Sequence, residues 1–149
     1  MSKGPSARIK HVRSEKDRYS IEAMVEIGSD PGRDRSAAEM AGLLALSRES
    51  VHQLLAPYVR VGLLVAVRGR AGGYSAGEGL LGSPLSAVLA PFGAPSGRGR
   101  AAAGKGLSRL VEAVESEAVA ARLAVYERWT VGDLVARHRA DRHVIDWEI

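Results

Sequence analysis

Residues 36–76 restrict the fold more than any other stretch. Ser36-Ala-Ala-Glu39 has the form of a capping box, a hydroxyl followed three positions later by an acid. The short helix that follows turns Ala37, Met40, Ala41 and Leu44 inward. Ser47 is a second residue of the type that caps helices. Behind it Val51, Leu54, Leu55, Tyr58 and Val59 fall at i, i+3, i+4, i+7 and i+8, one helical face, and Gly62 ends the run. Two short capped helices around a tight turn at Ala45 and Leu46 are the skeleton of a helix-turn-helix. Residues 63–68 and 74–76 then read as two short strands. Gly69-Arg-Ala-Gly-Gly73 is their turn, because glycine takes positive φ without penalty. A hairpin directly after the second helix is a wing. Pro57 lacks an N–H and clashes with the preceding turn, so a kink is expected near residues 53–57, away from the end that would reach DNA.

The flanking segments follow the same logic. Ser14-Glu-Lys-Asp17 is another capping box, opening a helix to about Gly28, and residues 1–13 read as a basic flexible tail. Ser83 followed by Pro84 reads as cap and first helical residue, with Leu85, Val88 and Leu89 inward as far as about Pro91. Residues 93–106 form a loop rich in glycine and alanine. From there Leu107, Leu110, Val114, Ala118, Ala121 and Val125 alternate three and four apart, a coiled-coil-like seam. About twenty helical residues extend about 30 Å, more than one small core covers, so pairing with a second copy is expected. The alternative is a single helix lying across its own domain. Thr130-Val-Gly-Asp133 is a further capping box, starting a short helix to about His138. The expected fold is therefore mostly α: a winged helix-turn-helix with a two-stranded β wing and a long C-terminal dimerisation helix. Its parts are a DNA-binding domain over residues 14–92, the loop, and a dimerisation segment over 107–149.

Charge bears on the partner. The chain carries +4 with a pI near 9.8. Lys3, Arg8, Lys10, Arg13, Lys16 and Arg18 crowd the first eighteen residues, and Arg48, Arg60, Arg68 and Arg70 oppose a single Glu49 over 47–70. Acids outnumber bases over 112–149. This is the pattern of a first half that meets a polyanion, although a basic tail with solvated faces produces it too. The chain has no cysteine, which excludes disulfides, thiolate metal sites and thiol nucleophiles. No apolar run is long enough to span a bilayer and no secretory h-region opens the chain, so a cytoplasmic, non-membrane protein is expected.

On these residues the sequence resembles the Rrf2 family of bacterial transcription regulators. Arg18-Tyr-Ser-Ile-Glu-Ala23 is similar to the family's opening helix, and Ser36-Ala-Ala-Glu-Met-Ala41 to its first helix of the DNA-binding motif. Leu46-Ser47, Val51-His-Gln-Leu-Leu55 and Val61-Gly-Leu-Leu64 resemble its recognition helix and exit. Val67-Arg-Gly69 with Gly72-Gly-Tyr74 resembles its wing, and Thr130-Val-Gly-Asp-Leu134 its closing helix. The wing pattern R-G-x-x-G-G-Y, at fixed distance after G-L, is the most specific piece. The resemblance implies a homodimeric winged-helix repressor acting on a palindromic operator in double-stranded DNA. Several members also hold an iron–sulfur cluster through three cysteines before the long helix. This chain has none there, so no cofactor is expected.

The expected DNA-reading residues are those of the first turns after Ser47, namely Ser47, Arg48, Glu49, Ser50, His52 and Gln53. Ser36, at the start of the preceding helix, is placed with them. Arg48 suits guanine O6 and N7, Gln53 suits adenine, and Glu49 accepts from cytosine N4. His52 stands where many relatives carry glutamate. Arg68 and Arg70 flank the wing turn, and the resemblance implies a minor-groove role for Arg68. The wing glycines lack the GxGxxG and GK[ST] patterns of nucleotide loops. His138, Asp141, His143 and Asp146 cluster without the spacing of a metal site, so no metal is expected. Phe92 and the loop to Gly106 could border an unknown effector. No catalytic constellation is present, so no enzyme is expected. The competing reading is a winged-helix protein-interaction module without DNA binding, docking a partner through Tyr58, Trp129 or the acidic C-terminal part.

Overall fold

A computed structural model describes residues 14–69, 72–92 and 106–146. Helix α1 spans Ser14–Gly28, α2 Ala37–Leu44 and α3 Arg48–Arg60. Strands β1 (Leu64–Val67) and β2 (Gly73–Ala76) follow, then α4 (Leu85–Leu89), a 3₁₀ turn (Ala90–Phe92), α5 (Leu107–Arg128) and α6 (Val131–Asp146). The tail over 1–13, Arg70 and the loop over 93–105 lie outside the described residues, as do the side chains of Phe92, His143 and Asp146.

Local chemistry explains the starts of the helices. Ser36 caps α2 by accepting from the Glu39 N–H, and Ser47 caps α3 by accepting from the Ser50 N–H, both at 3.1 Å. Between them Ala45 sits in the left-handed region at φ 53°, a conformation that costs an L-residue about 1–2 kcal/mol. Its N–H bonds the Ala41 carbonyl, which folds the chain back sharply enough to cross the two helices. At α6 the box closes in both directions: the Thr130 N–H donates to Asp133 at 2.8 Å, and the Asp133 N–H to the Thr130 hydroxyl at 3.1 Å. The Thr130 backbone N–H, and after it the Thr130 hydroxyl, hold the Asp133 carboxyl below its usual range.

The core gathers one face from each element. Met24 and Ile27 of α1, Met40 and Leu44 of α2, and Val51, Leu54, Leu55 and Tyr58 of α3 pack with Leu64, Leu80, Leu85 and Val88. Val131 and Val135 of α6 close the far side against α1. Gly28 lets these helices approach, since a Cβ there would lie 3.2 Å from Leu81 and 3.4 Å from Val135. Arg139 of α6 donates to the Ser29 carbonyl, and Arg122 of α5 pairs with Asp17 of α1 at 3.1 Å.

Helix α3 runs through Pro57 to Arg60, with one N–H missing from its ladder at the proline. Three other expectations need correcting. Pro84, not Ser83, is the cap residue of α4, and the Ser83 hydroxyl donates back to the Gly79 carbonyl at 2.7 Å. Helix α6 runs to Asp146, well past His138, anchored by Arg139 on the loop after α1. Tyr58 is no docking residue: it is fully buried and its hydroxyl donates to the Val88 carbonyl at 2.6 Å. Burial pushes that phenol up to about 12.

Candidate nucleic-acid interface

The first turns of α3 divide into two faces. Val51, Leu54 and Leu55 go into the core, while Arg48, Glu49, Ser50, His52 and Gln53 are all exposed. Ser47 Oγ also donates to Ser50 Oγ at 2.8 Å, so the capping hydroxyl is committed to its own helix. Arg48 and His52, one turn apart, lie on the flank that faces the wing.

The wing is a two-stranded antiparallel hairpin, with Val67 opposite Gly73 and Leu64 opposite Ala76. Its glycines are required by space. Gly69 has φ of 119°. A Cβ on Gly72 would fall 2.3 Å from the Val67 carbonyl oxygen, and one on Gly73 would fall 2.0 Å from that of Arg35. Arg35 explains the second approach, because its backbone exchanges two 2.8 Å bonds with Tyr74, making a one-residue third strand. Its guanidinium is buried, bonded to Glu39 at 2.9 Å and to the Glu26 carbonyl at 3.3 Å. Glu39 also pairs with Arg33 at 2.7 Å, so its carboxylate serves the loop before α2. The wing is thereby tied to α1 and α2.

A second tie reaches α3. The Tyr74 hydroxyl meets His52 Nδ1 at 2.5 Å, with the two rings 5.9 Å apart. The Tyr74 ring is buried, and burial raises its phenol above the usual value.

Between these elements lies an open cleft of about 560 Å³. Ser36, Ala37 and Ala38 form one wall, Arg48 and His52 the second, and Ala66, Val67, Gly69, Gly72, Gly73 and Tyr74 the third. Among the described residues no carboxylate lines it. The first wall is the N-terminus of α2, whose leading N–H groups have no intrahelical acceptor and carry partial positive charge. Such an end accepts an anion. Of the expected residues, the structure thus brings together Ser36, Arg48 and His52. Glu49, Ser50 and Gln53 stand on the open face of α3 outside the cleft, and Arg68 is exposed where β1 meets the turn. Arg35, Tyr74 and the Ala37 and Ala38 backbone were not singled out from the sequence. Tyr74 stood in the wing motif, but nothing local marked its bond to His52.

Away from the cleft, α5 leaves its seam open: Leu107 is 74% exposed, Leu110 66%, Val114 67% and Val125 43%, and Ala118 and Ala121 are exposed too. Trp129 is covered by Arg137, whose guanidinium carbon sits 4.2 Å from the ring centre. His138 lies 3.7 Å from Glu26. Among the described residues no group of three or more His, Asp or Glu could hold a metal, and no helix is long and apolar enough to cross a membrane. A thiolate-held cluster does not fit this chain, which lacks the donors.

No family model and no curated protein sequence matches the chain. Solved structures do. CymR, the global cysteine regulator of B. subtilis, aligns over 82% of this chain and 94% of its own, at TM-score 0.66 and 22% identity. IscR of T. potens aligns over 83% and 85%, at TM-score 0.66 and 20% identity. CymR of Staphylococcus aureus aligns over 80% and 94%, at TM-score 0.63 and 22% identity. At such identities the likeness is one of architecture, and the chain has the winged-helix fold of the Rrf2-type regulators CymR and IscR.

Proposed function

We propose that this protein is a transcription regulator of the Rrf2 type that binds a palindromic operator in double-stranded DNA as a homodimer and represses transcription in the cytoplasm. The observation that carries this reading is the cleft where the α2 N-terminus, Arg48, His52 and the wing face one another, with no carboxylate among its described lining residues. The α2 N-terminus and Ser36 suit a backbone phosphate, which sets position without reading sequence. Arg48 and Gln53 present the side chains that pair bidentately with guanine and adenine, and Glu49, Ser47 and Ser50 complete the face entering the major groove. Arg68 at the wing serves the adjacent minor groove, and Arg70, beside it in the sequence, adds to the DNA-binding set. Residues 14–92 serve as the DNA-binding part and 107–149 as the dimerising part.

The open seam of α5 supports the homodimer. Exposed leucines and valines in one line suit a second copy of the same helix, since a two-fold axis lets one patch complement itself. The two recognition helices would then meet half-sites about 34 Å apart. The regulator works without an iron–sulfur cluster, so its signal differs from that of the cluster-bearing relatives.

The test is an electrophoretic shift on the DNA upstream of the protein's own gene at several salt concentrations. Binding that weakens steeply with salt is expected, because phosphate neutralisation releases counterions. Arg48→Ala should cost about 1–3 kcal/mol and relax preference at one operator position. Salt-insensitive or absent binding would leave the fold as an interaction module.

A further inference from the structure

We propose that His52 reads the operator as a fixed hydrogen-bond donor, with its tautomer set by Tyr74. This rests on the DNA-binding reading above and specifies the chemistry of one of its contacts.

The Tyr74 hydroxyl meets His52 Nδ1 at 2.5 Å, while the ring of Tyr74 is buried beneath the wing and its backbone is pinned to Arg35. Phenol is a far stronger acid than a neutral imidazole N–H, and imidazole nitrogen a far stronger base than phenol oxygen. The proton therefore stays on oxygen and Nδ1 accepts. Burial favours the same order by keeping the phenol protonated. A neutral imidazole carries a single N–H, so with Nδ1 accepting, that N–H is at Nε2. His52 is exposed on the cleft side of α3, one turn after Arg48.

An Nε2–H donor discriminates among base edges. In the major groove, guanine O6 and N7, adenine N7 and thymine O4 accept, whereas cytosine N4 and adenine N6 donate. His52 therefore favours an acceptor edge and disfavours cytosine N4. A glutamate at this position would do the reverse, because a carboxylate only accepts. Tyr74 is a positioning residue: without its hydroxyl the ring exchanges between tautomers and presents either a donor or an acceptor.

Two measurements test this. Ring nitrogen NMR of the labelled, DNA-free protein should show protonated Nε2 and unprotonated Nδ1 for His52, with averaging in Tyr74→Phe, which keeps the buried ring. A protonated Nδ1 in the wild type overturns the proposal without reference to DNA. Selection from a randomised duplex library, followed by titration, should then show one position per half-site at which His52→Glu moves preference toward cytosine N4 or adenine N6. The expected change is about fivefold, the effect of one hydrogen bond. Tyr74→Phe should flatten preference at that same position. Preferences unchanged at every position, or a uniform loss of affinity that assigns His52 to phosphate, overturn the proposal while the DNA reading stands. A wild type that selects no consensus removes both, and the NMR result then separates a correct tautomer from a wrong partner.

Discussion

Helices α3 and α5 solve opposite halves of the same problem. In α3 the apolar face is spent inside the chain: Val51, Leu54, Leu55 and Tyr58 are buried, and what faces outward is polar. In α5, 22 residues long, no residue is buried and the apolar line from Leu107 to Val125 looks outward. Burying each such leucine or valine is worth about 1.5–3 kcal/mol, so the exposed line is a large unrealised contribution. One helix is complete within a single chain and leaves a polar surface outward. The other leaves apolar area that only a second apolar surface would cover.

The sharpest way to break this contrast is Val114→Asp. Val114 is 67% exposed on its own chain, so the fold should persist by circular dichroism while sedimentation velocity shows monomers. Losing the second half-site should reduce apparent operator affinity by at least about a hundredfold. A retained dimer would place the pairing surface elsewhere. Gly73→Ala tests the other region. Its Cβ would lie 2.0 Å from the Arg35 carbonyl, backbone against backbone, and we expect a loss of about 3 kcal/mol, read as a lower urea midpoint at unchanged slope. An unshifted midpoint would show that the wing can detach from Arg35 at little cost. Smallest is Thr130→Ala at the start of α6, expected to cost about 1 kcal/mol in the same assay. The box also carries a pH signature. Asp133 has a lowered native pKa because the Thr130 backbone and side chain bond its ionised form. Its contribution is therefore full above the ordinary aspartate range and lost as pH falls through the lowered native value. Asp133→Asn should flatten that acid limb, and an unchanged limb would assign the acid sensitivity to other carboxylates.

What could be read from the sequence was what short stretches decide for themselves. Ser36, Ser47 and Thr130 act on N–H groups three residues away, and the strand pair 64–67 with 73–76 is closed by its own turn, so all were visible as patterns. What failed depended on distant partners. Tyr58 fits an exposed or a buried position equally well until Val88, thirty residues on, offers its carbonyl. The length of α6 is supported by Arg139 reaching Ser29, which no periodicity in 139–146 announces. In the cleft, Arg48 and Ser36 followed from helix positions, but the third wall exists because Arg35 pairs with Tyr74. The glycine pair at 72 and 73 was legible as a turn; that its second member makes room for another segment was not.

The two long tethers that join the first helix and the loop just after it to the last two helices also impose an order in time. Asp17 and Arg122 stand 105 positions apart, and Ser29 and Arg139 stand 110 apart. The pairings within 36–76 are local, and closing short loops costs little entropy. A chain emerging from the ribosome therefore holds every residue of the cleft long before Arg139 is made. Until then its first helix lacks the partner that covers one side. On the function proposed above, synthesis builds the surface for the nucleic acid before the surface for the second copy, so a chain stalled between them carries the cleft without the means to pair.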